Sequence, residues 1–249
     1  MNGAPSEDFV AEVDLLAIAA HRDDVELLCG GTLARTVAQG YRAGVLDLTR
    51  GEMGSAGSAD LRAQEAAAAS AVLGLTARHN AAFADAALEN TPETRLHVAR
   101  FIRSFRPKVV ILPYMHGRHP DHRIAAQLGY DACFLAGLGK LPLSEPPHRP
   151  TKILYAMTYR EEPIKPTFVV DITDQIDTKI RAIECYASQF DGKTWAGEVF
   201  PGGDRSLYEQ VRMHAAHYGS LIRTAYGEPF HTAETMAVDD VVGLGVRSM

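Results

Sequence analysis

Two short segments hold most of the side chains able to do chemistry: His21-Arg22-Asp23-Asp24-Val25-Glu26, and His116-Gly117-Arg118-His119-Pro120-Asp121-His122. Carboxylates this close repel one another, and a bound cation usually relieves them. Imidazoles beside carboxylates offer the mixed nitrogen and oxygen donors that suit zinc, with three protein ligands and a fourth position open to water. Pro120 sets the backbone at the start of a helix and turns its neighbours toward one point. Each segment alone has a plainer explanation, an Asp-Asp pair in a loop or a surface histidine. The stronger argument is positional: both follow a buried strand, and both place a His near an Asp.

The elements that must position these groups read as alternating βα units. Strands are expected at Val13–Ala20, Val45–Thr49, Lys108–Pro113, Ile153–Met157 and Phe168–Asp171. Helices are expected at Gly30–Gln39, Leu61–Leu73, Pro92–Phe105, Asp121–Leu135, Asp174–Ala187 and Leu207–Arg223. The pattern implies an α/β fold: a single Rossmann-like domain with a mostly parallel central sheet, helices on both faces and a C-terminal extension of helix and strand. Sheets of this kind place sites at the C-terminal ends of their strands, where both segments fall. The expected organisation is a tail over 1–12, a domain over 13–230 and a second tail over 231–249. The Pro-rich stretch Leu141–Pro150 is read as a connection within the domain.

Composition excludes several classes. The chain has 249 residues, 46% of them hydrophobic and 22% charged, which is enough for a full core. A net charge of −6 with no basic cluster argues against nucleic acid. No apolar run approaches the roughly 18 to 20 residues that cross a bilayer, so no membrane partner is expected. The first residues lack a basic-then-apolar leader pattern, and three widely spaced cysteines form neither a disulfide framework nor a CxxC site. A cytoplasmic protein is the expectation. Gly30-Gly31 has neither GxGxxG nor Walker spacing, so a dinucleotide enzyme is disfavoured.

Further candidates carry weaker signals. The Gly- and Ser-rich loop Thr49–Ser58 follows a strand on the same side of the sheet as both segments. It reads as a substrate loop, with Gly54 and Ser55 allowing close approach and Arg50 and Arg62 facing acidic groups; Arg118 is counted with them. Glu26 reads as a structural partner at a helix start, where the dipole favours a carboxylate. His116, His214 and His217 read as surface groups, and His79, His97, His148 and His231 as structural or surface residues.

A hydrophobic strand leading into His-x-Asp-Asp-x-Glu, with a later His-Pro-Asp-His, resembles the LmbE-like (PIG-L) family of zinc-dependent N-acetylglucosamine deacetylases. The likeness spans about Val13 to Phe230. GVLDLTRGEMGSAGS, LRAQEAAAA, PPHRP, FVVDIT, YASQF and YGSLIRTAYGEPF resemble more narrowly the bacillithiol-pathway branch, which deacetylates N-acetylglucosaminyl-malate.

Carried over by position, the resemblance implies that His21, Asp24 and His122 bind one Zn2+ per subunit, with Fe2+ as the alternative metal. Asp23 would be the general base, His119 the electrophilic partner or acid, and Asp121 the group that orients or charge-couples His119. Arg149 would stand beside Asp23, Arg62 would meet the malate carboxylates, and Tyr208 is the candidate for a tyrosine that approaches the reaction centre. The resemblance also implies a homo-oligomer, in this branch a hexamer. Arg22 stands where the family usually has Pro or Ala. Such a centre polarises an acetyl carbonyl and lowers its water's pKa toward ~7. The substrate expected is a small-molecule GlcNAc conjugate. The alternatives are another GlcNAc-linked thiol precursor, a GlcNAc-lipid or a chito-oligosaccharide, or a metal- or sugar-binding protein without catalysis.

Overall fold

A computed structural model describes residues 11–54, 56–157, 164–196, 200–201 and 203–246. A seven-stranded sheet runs in the order β3-β2-β1-β4-β5-β9-β6. Its strands are β1 (Leu15–Ala19), β2 (Ala43–Thr49), β3 (Ala77–Phe83), β4 (Val109–Pro113), β5 (Lys152–Ala156), β6 (Phe168–Asp171) and β9 (Gly227–His231). The first five are parallel, and β9 runs antiparallel between β5 and β6. A two-stranded ribbon, β7 (Trp195–Ala196) with β8 (Phe200–Pro201), stands apart from it.

Every residue of β1 and β2 is buried, as expected of parallel strands covered on both faces. One core packs β1, β2 and β9 beneath α1 (Asp24–Ala38), α2 (Ala59–Leu73) and α5 (Ile176–Glu184). The other lies beneath α3 (Pro92–Phe105) and α4 (Pro120–Ala136). The short α6 (Ala187–Phe190) and the long α7 (Leu207–Leu221) complete the C-terminal part. Local sequence sets the helix ends. Ser58 caps α2, Thr91 and Thr94 form a capping box on α3, and Gly74 ends α2 in a left-handed turn. Buried Arg103 of α3 donates to the carbonyls of Ala136, Leu138 and Glu145, which ties the Pro-rich connection to the domain.

Three features depart from the sequence reading. Helix α1 begins at Asp24 and kinks at Cys29 (φ −150°, ψ 22°), so the expected helix from Gly30 is its second segment. The kink frees the N–H groups of Gly31 and Thr32, which Glu228 accepts at 2.9 and 2.7 Å. Strand β3 (ARHNAAF) is mostly half-exposed and lacks an apolar run. Strand β9 (GEPFH) hides its Glu228 in a pair with Lys179 of α5, and its Pro229 offers only a carbonyl, taken by Met157 N–H.

Candidate metal centre

The chain moves outward from β1 to β2 and β3, then returns to β4 on the other side of β1. That reversal opens a crevice at the C-terminal ends of β1 and β4. His21, Asp23 and Asp24 follow β1, while His119, Asp121 and His122 open α4 after β4. The two segments meet there. A cavity of about 450 Å³ is lined by His21, Asp23, Asp24, Arg62, His119 and His122, with Asp85, Lys193 and Trp195 among its other walls.

His21, Asp24 and His122 each present a donor atom, all within 4.8 Å of one another. Asp24 Oδ2 lies 3.3 Å from His21 Nδ1, and Asp24 Oδ1 lies 3.2 Å from His122 Nε2. The His21 backbone N–H donates to Asp24 Oδ2 at 2.8 Å, which fixes the carboxylate against the start of α1. The far side of His21 is braced as well: Nε2 lies 3.0 Å from Asp85 Oδ1 and 3.7 Å from Asp121 Oδ2. A carboxylate behind a ligating imidazole sets its tautomer and orientation. Two imidazoles and one carboxylate, so braced, are a donor set that fits zinc or ferrous iron.

The charge balance points the same way. Burial pulls the His21 pKa down, yet Asp24, Asp121 and Asp85 together hold it well above the ordinary value. Burial alone would raise Asp24, but His122 and His21 hold it well below the carboxylate range. The hydrogen bond from His21 brings Asp85 to about 2. The carboxylates around His21 thus favour a positive charge at this point, which a bound metal would supply.

Around this centre the remaining groups take distinct places. Asp23 pairs with Arg62 at 3.0 Å, and both line the cavity. Arg62 also donates to Gly51 O at 2.8 Å. Gly51 has φ +69°, and a Cβ there would lie 2.2 Å from the guanidinium, so this turn admits only glycine. His119 Nδ1 accepts the Asp121 backbone N–H at 3.2 Å, which leaves Nε2 to carry the proton of the neutral ring. Burial, helped by nearby His122 and His21, lowers the His119 pKa. Asp121 thus orients His119 from its backbone, while its carboxylate accepts Ala86 N–H and lies near both His21 and His119.

Other expectations are corrected. Arg149 does not stand beside Asp23. It is exposed at the far end of α4, over the Phe134 ring at 4.4 Å and donating to the Phe134 carbonyl. Arg62 holds the place expected for it. Arg62 itself lies on the cavity wall, buried and paired with Asp23. Tyr208 packs against the core beneath α1 and α5 and does not line the cavity. Arg50 and Arg118 are exposed off its walls, Gly54 lines it, and Ser55 lies outside the described residues. Glu26 is fully buried, bonded by Arg78 at 2.6 Å, and takes no part in the donor cluster.

Of the lining residues that escape the sequence reading, two stand out. Asp85 is a lone acid beyond β3, and only its place after a strand end could have marked it. There it joins the site to the glycine-rich loop, accepting Met53 N–H at 2.9 Å and donating its own N–H to Glu52 at 3.0 Å. Trp195 is the second, in a segment without periodicity.

A donor cluster able to hold a metal, at the switch point of a parallel sheet, fits a Rossmann-like enzyme, and comparison gives the family. The profile of the PIG-L family, described as GlcNAc-PI de-N-acetylase, matches residues 16–133. Diacetylchitobiose deacetylase from Thermococcus kodakarensis is 30% identical over 239 residues, covering 90% of this chain and 84% of that protein. The conserved protein TT1542 from Thermus thermophilus has a crystal structure that is 40% identical, with a TM-score of 0.81 over 91% of this chain and 98% of its own. A 4-oxalmesaconate hydratase from Pseudomonas putida is 27% identical over 202 residues, or 70% of this chain and 73% of that one. The chain belongs to the PIG-L family of N-acetyl deacetylases.

Proposed function

We propose that the protein removes the acetyl group from a small-molecule GlcNAc conjugate, with N-acetylglucosaminyl-malate as the substrate. The observation that carries the reading is a three-donor centre with Asp23 beside it, facing a cavity open to solvent. His21, Asp24 and His122 would hold a metal, which would supply a Lewis acid and lower the pKa of its water. Every other task falls to the chain.

Asp23 is next in sequence to a ligand but is not needed as one, so its carboxylate takes the proton of the attacking water. Arg62 holds Asp23 in position through their ion pair and ties it to the glycine-rich loop through Gly51. His119 donates from Nε2 toward the oxygen that gains charge, a contribution on the order of 3 kcal/mol in other hydrolases. The departing amine needs a proton, which Asp23, having taken one from the water, delivers. Asp85 and Asp121 hold His21 in its ligating orientation. The wider family resemblance supports a homo-oligomer as the working form, and a cytoplasmic location is proposed with it.

A second reading keeps this chemistry and changes the substrate to a chito-disaccharide, favoured by the 30% identity to a diacetylchitobiose deacetylase. Amine release from N-acetylglucosaminyl-malate, N,N'-diacetylchitobiose and GlcNAc, with metal-loaded protein, separates the two. Preference for the malate conjugate supports the first reading, and preference for the disaccharide supports the second. No amine from any of them, with metal bound, overturns both.

A further inference from the structure

The reading above leaves open what the cavity recognises beyond the acetamide. The resemblance directs Arg62 at an acidic aglycone; in the fold Arg62 is buried and held by Asp23 and the Gly51 carbonyl. Among the described residues, the other Lys or Arg on the cavity wall is Lys193. Its backbone is fixed on both sides, the N–H donating to Phe190 O and the carbonyl accepting Leu207 N–H, each at 3.0 Å. Its ammonium is exposed and makes no ion pair among the described residues. Two residues on, Trp195 lines the same cavity with 55% of its surface exposed. An exposed indole beside a cavity is a surface that gains by being covered. The facing wall is the glycine-rich loop, tied across by Gln189 donating to Ala56 O at 2.7 Å.

The cavity is therefore graded. Its floor carries the donor cluster and its carboxylates, and its mouth carries an exposed aromatic face and an exposed ammonium. A sugar whose acetamide reaches the floor leaves the rest of the conjugate toward that mouth. We propose that Lys193 and Trp195 form the aglycone subsite, Trp195 stacking on a ring face and Lys193 pairing with a carboxylate-bearing aglycone. The inference rests on the deacetylase reading and adds the group that sets its selectivity.

The test uses the metal-loaded full chain and two probes, N-acetylglucosaminyl-malate as the anionic conjugate and methyl N-acetylglucosaminide as the neutral one. Lys193→Ala should lower the ratio of anionic to neutral kcat/KM by roughly fivefold, the scale of an exposed ion pair. Lys193→Glu should lower it further, and Lys193→Arg should restore it. Trp195→Ala should raise KM for both probes by about tenfold with a smaller change in kcat. A ratio that stays fixed across the Lys193 variants, while both probes turn over, overturns the subsite and leaves the deacetylase reading standing. Should the wild type release no amine from either probe, the deacetylase reading fails, and calorimetric binding of the malate conjugate decides the subsite. Weaker binding by Lys193→Glu than by the wild type would support it, and equal binding would overturn it.

Discussion

Two buried charge clusters lie roughly two turns apart along α1, built from similar residues and completed differently. At Lys179 and Glu228 the charges match one to one at 2.5 Å. Glu228 also accepts the N–H groups of Gly31 and Thr32 and the Thr32 hydroxyl, and Lys179 donates to Leu27 O. At the N-terminus of α1 the carboxylates of Asp24, Asp85 and Asp121 crowd one imidazole, His21, and the cluster faces a cavity. A charge group matched within the chain holds the fold together. A surplus of donors at a cavity is arranged for something from outside.

The Arg78 network falls between the two. One guanidinium there serves two buried acids, Glu26 at 2.6 Å and Asp47 at 2.8 Å. Burial is the larger influence, and it pushes Glu26 up to about 7 despite Arg78.

The sharpest way to break the contrast is Asp24→Ala. It should abolish stoichiometric metal binding and lower amine release on the order of a thousandfold or more, read by metal analysis beside kinetics. Full metal content in that variant would dissolve the distinction. Glu228→Gln should do the opposite, leaving an uncompensated Lys179. The expected cost is about 3–5 kcal/mol of stability, or a melting temperature lower by roughly 10 °C, with metal per folded chain unchanged.

Glu26→Gln tests the intermediate network through pH. The native carboxyl titrates at about 7 against 4.5 for an ordinary Glu, so the folded state binds more protons between those values. Stability should fall as pH rises from 4.5 to 7, by on the order of 3 kcal/mol from this group, and the variant should flatten that slope in denaturant titrations. A slope unchanged by the substitution would show that Glu26 is ionised throughout. Asp85→Asn has the smallest expected effect, weakening metal affinity about ten- to a hundredfold in competition with a chelator. No change would remove Asp85 from the support of His21.

Legibility follows the same division. Strands β1 and β4 are short apolar runs ending in donor-rich segments, so both the strands and the site at their ends stand out in the sequence. The partners that close the charge clusters do not. Arg62 lies 39 positions from Asp23, and Lys179 49 from Glu228, and no local pattern marks which arginine meets which acid. That is why the resemblance puts Arg149 where Arg62 stands. Strands β3 and β9 escape the sequence reading for a related reason: their polar residues, Arg78 and Glu228, are buried by pairing across the fold, so neither strand has an apolar run. Asp85 is lost with β3, because its place at a strand end is visible only once that strand is known.

The central claim is that Asp23 acts as the base beside a metal held by other residues. Asp23→Asn tests it most directly, with metal content and amine release from the GlcNAc conjugate measured on the same preparation. The variant should hold one metal per chain, as in the wild type, with turnover lower by about 10²- to 10⁴-fold. One metal per chain with undiminished turnover would contradict it.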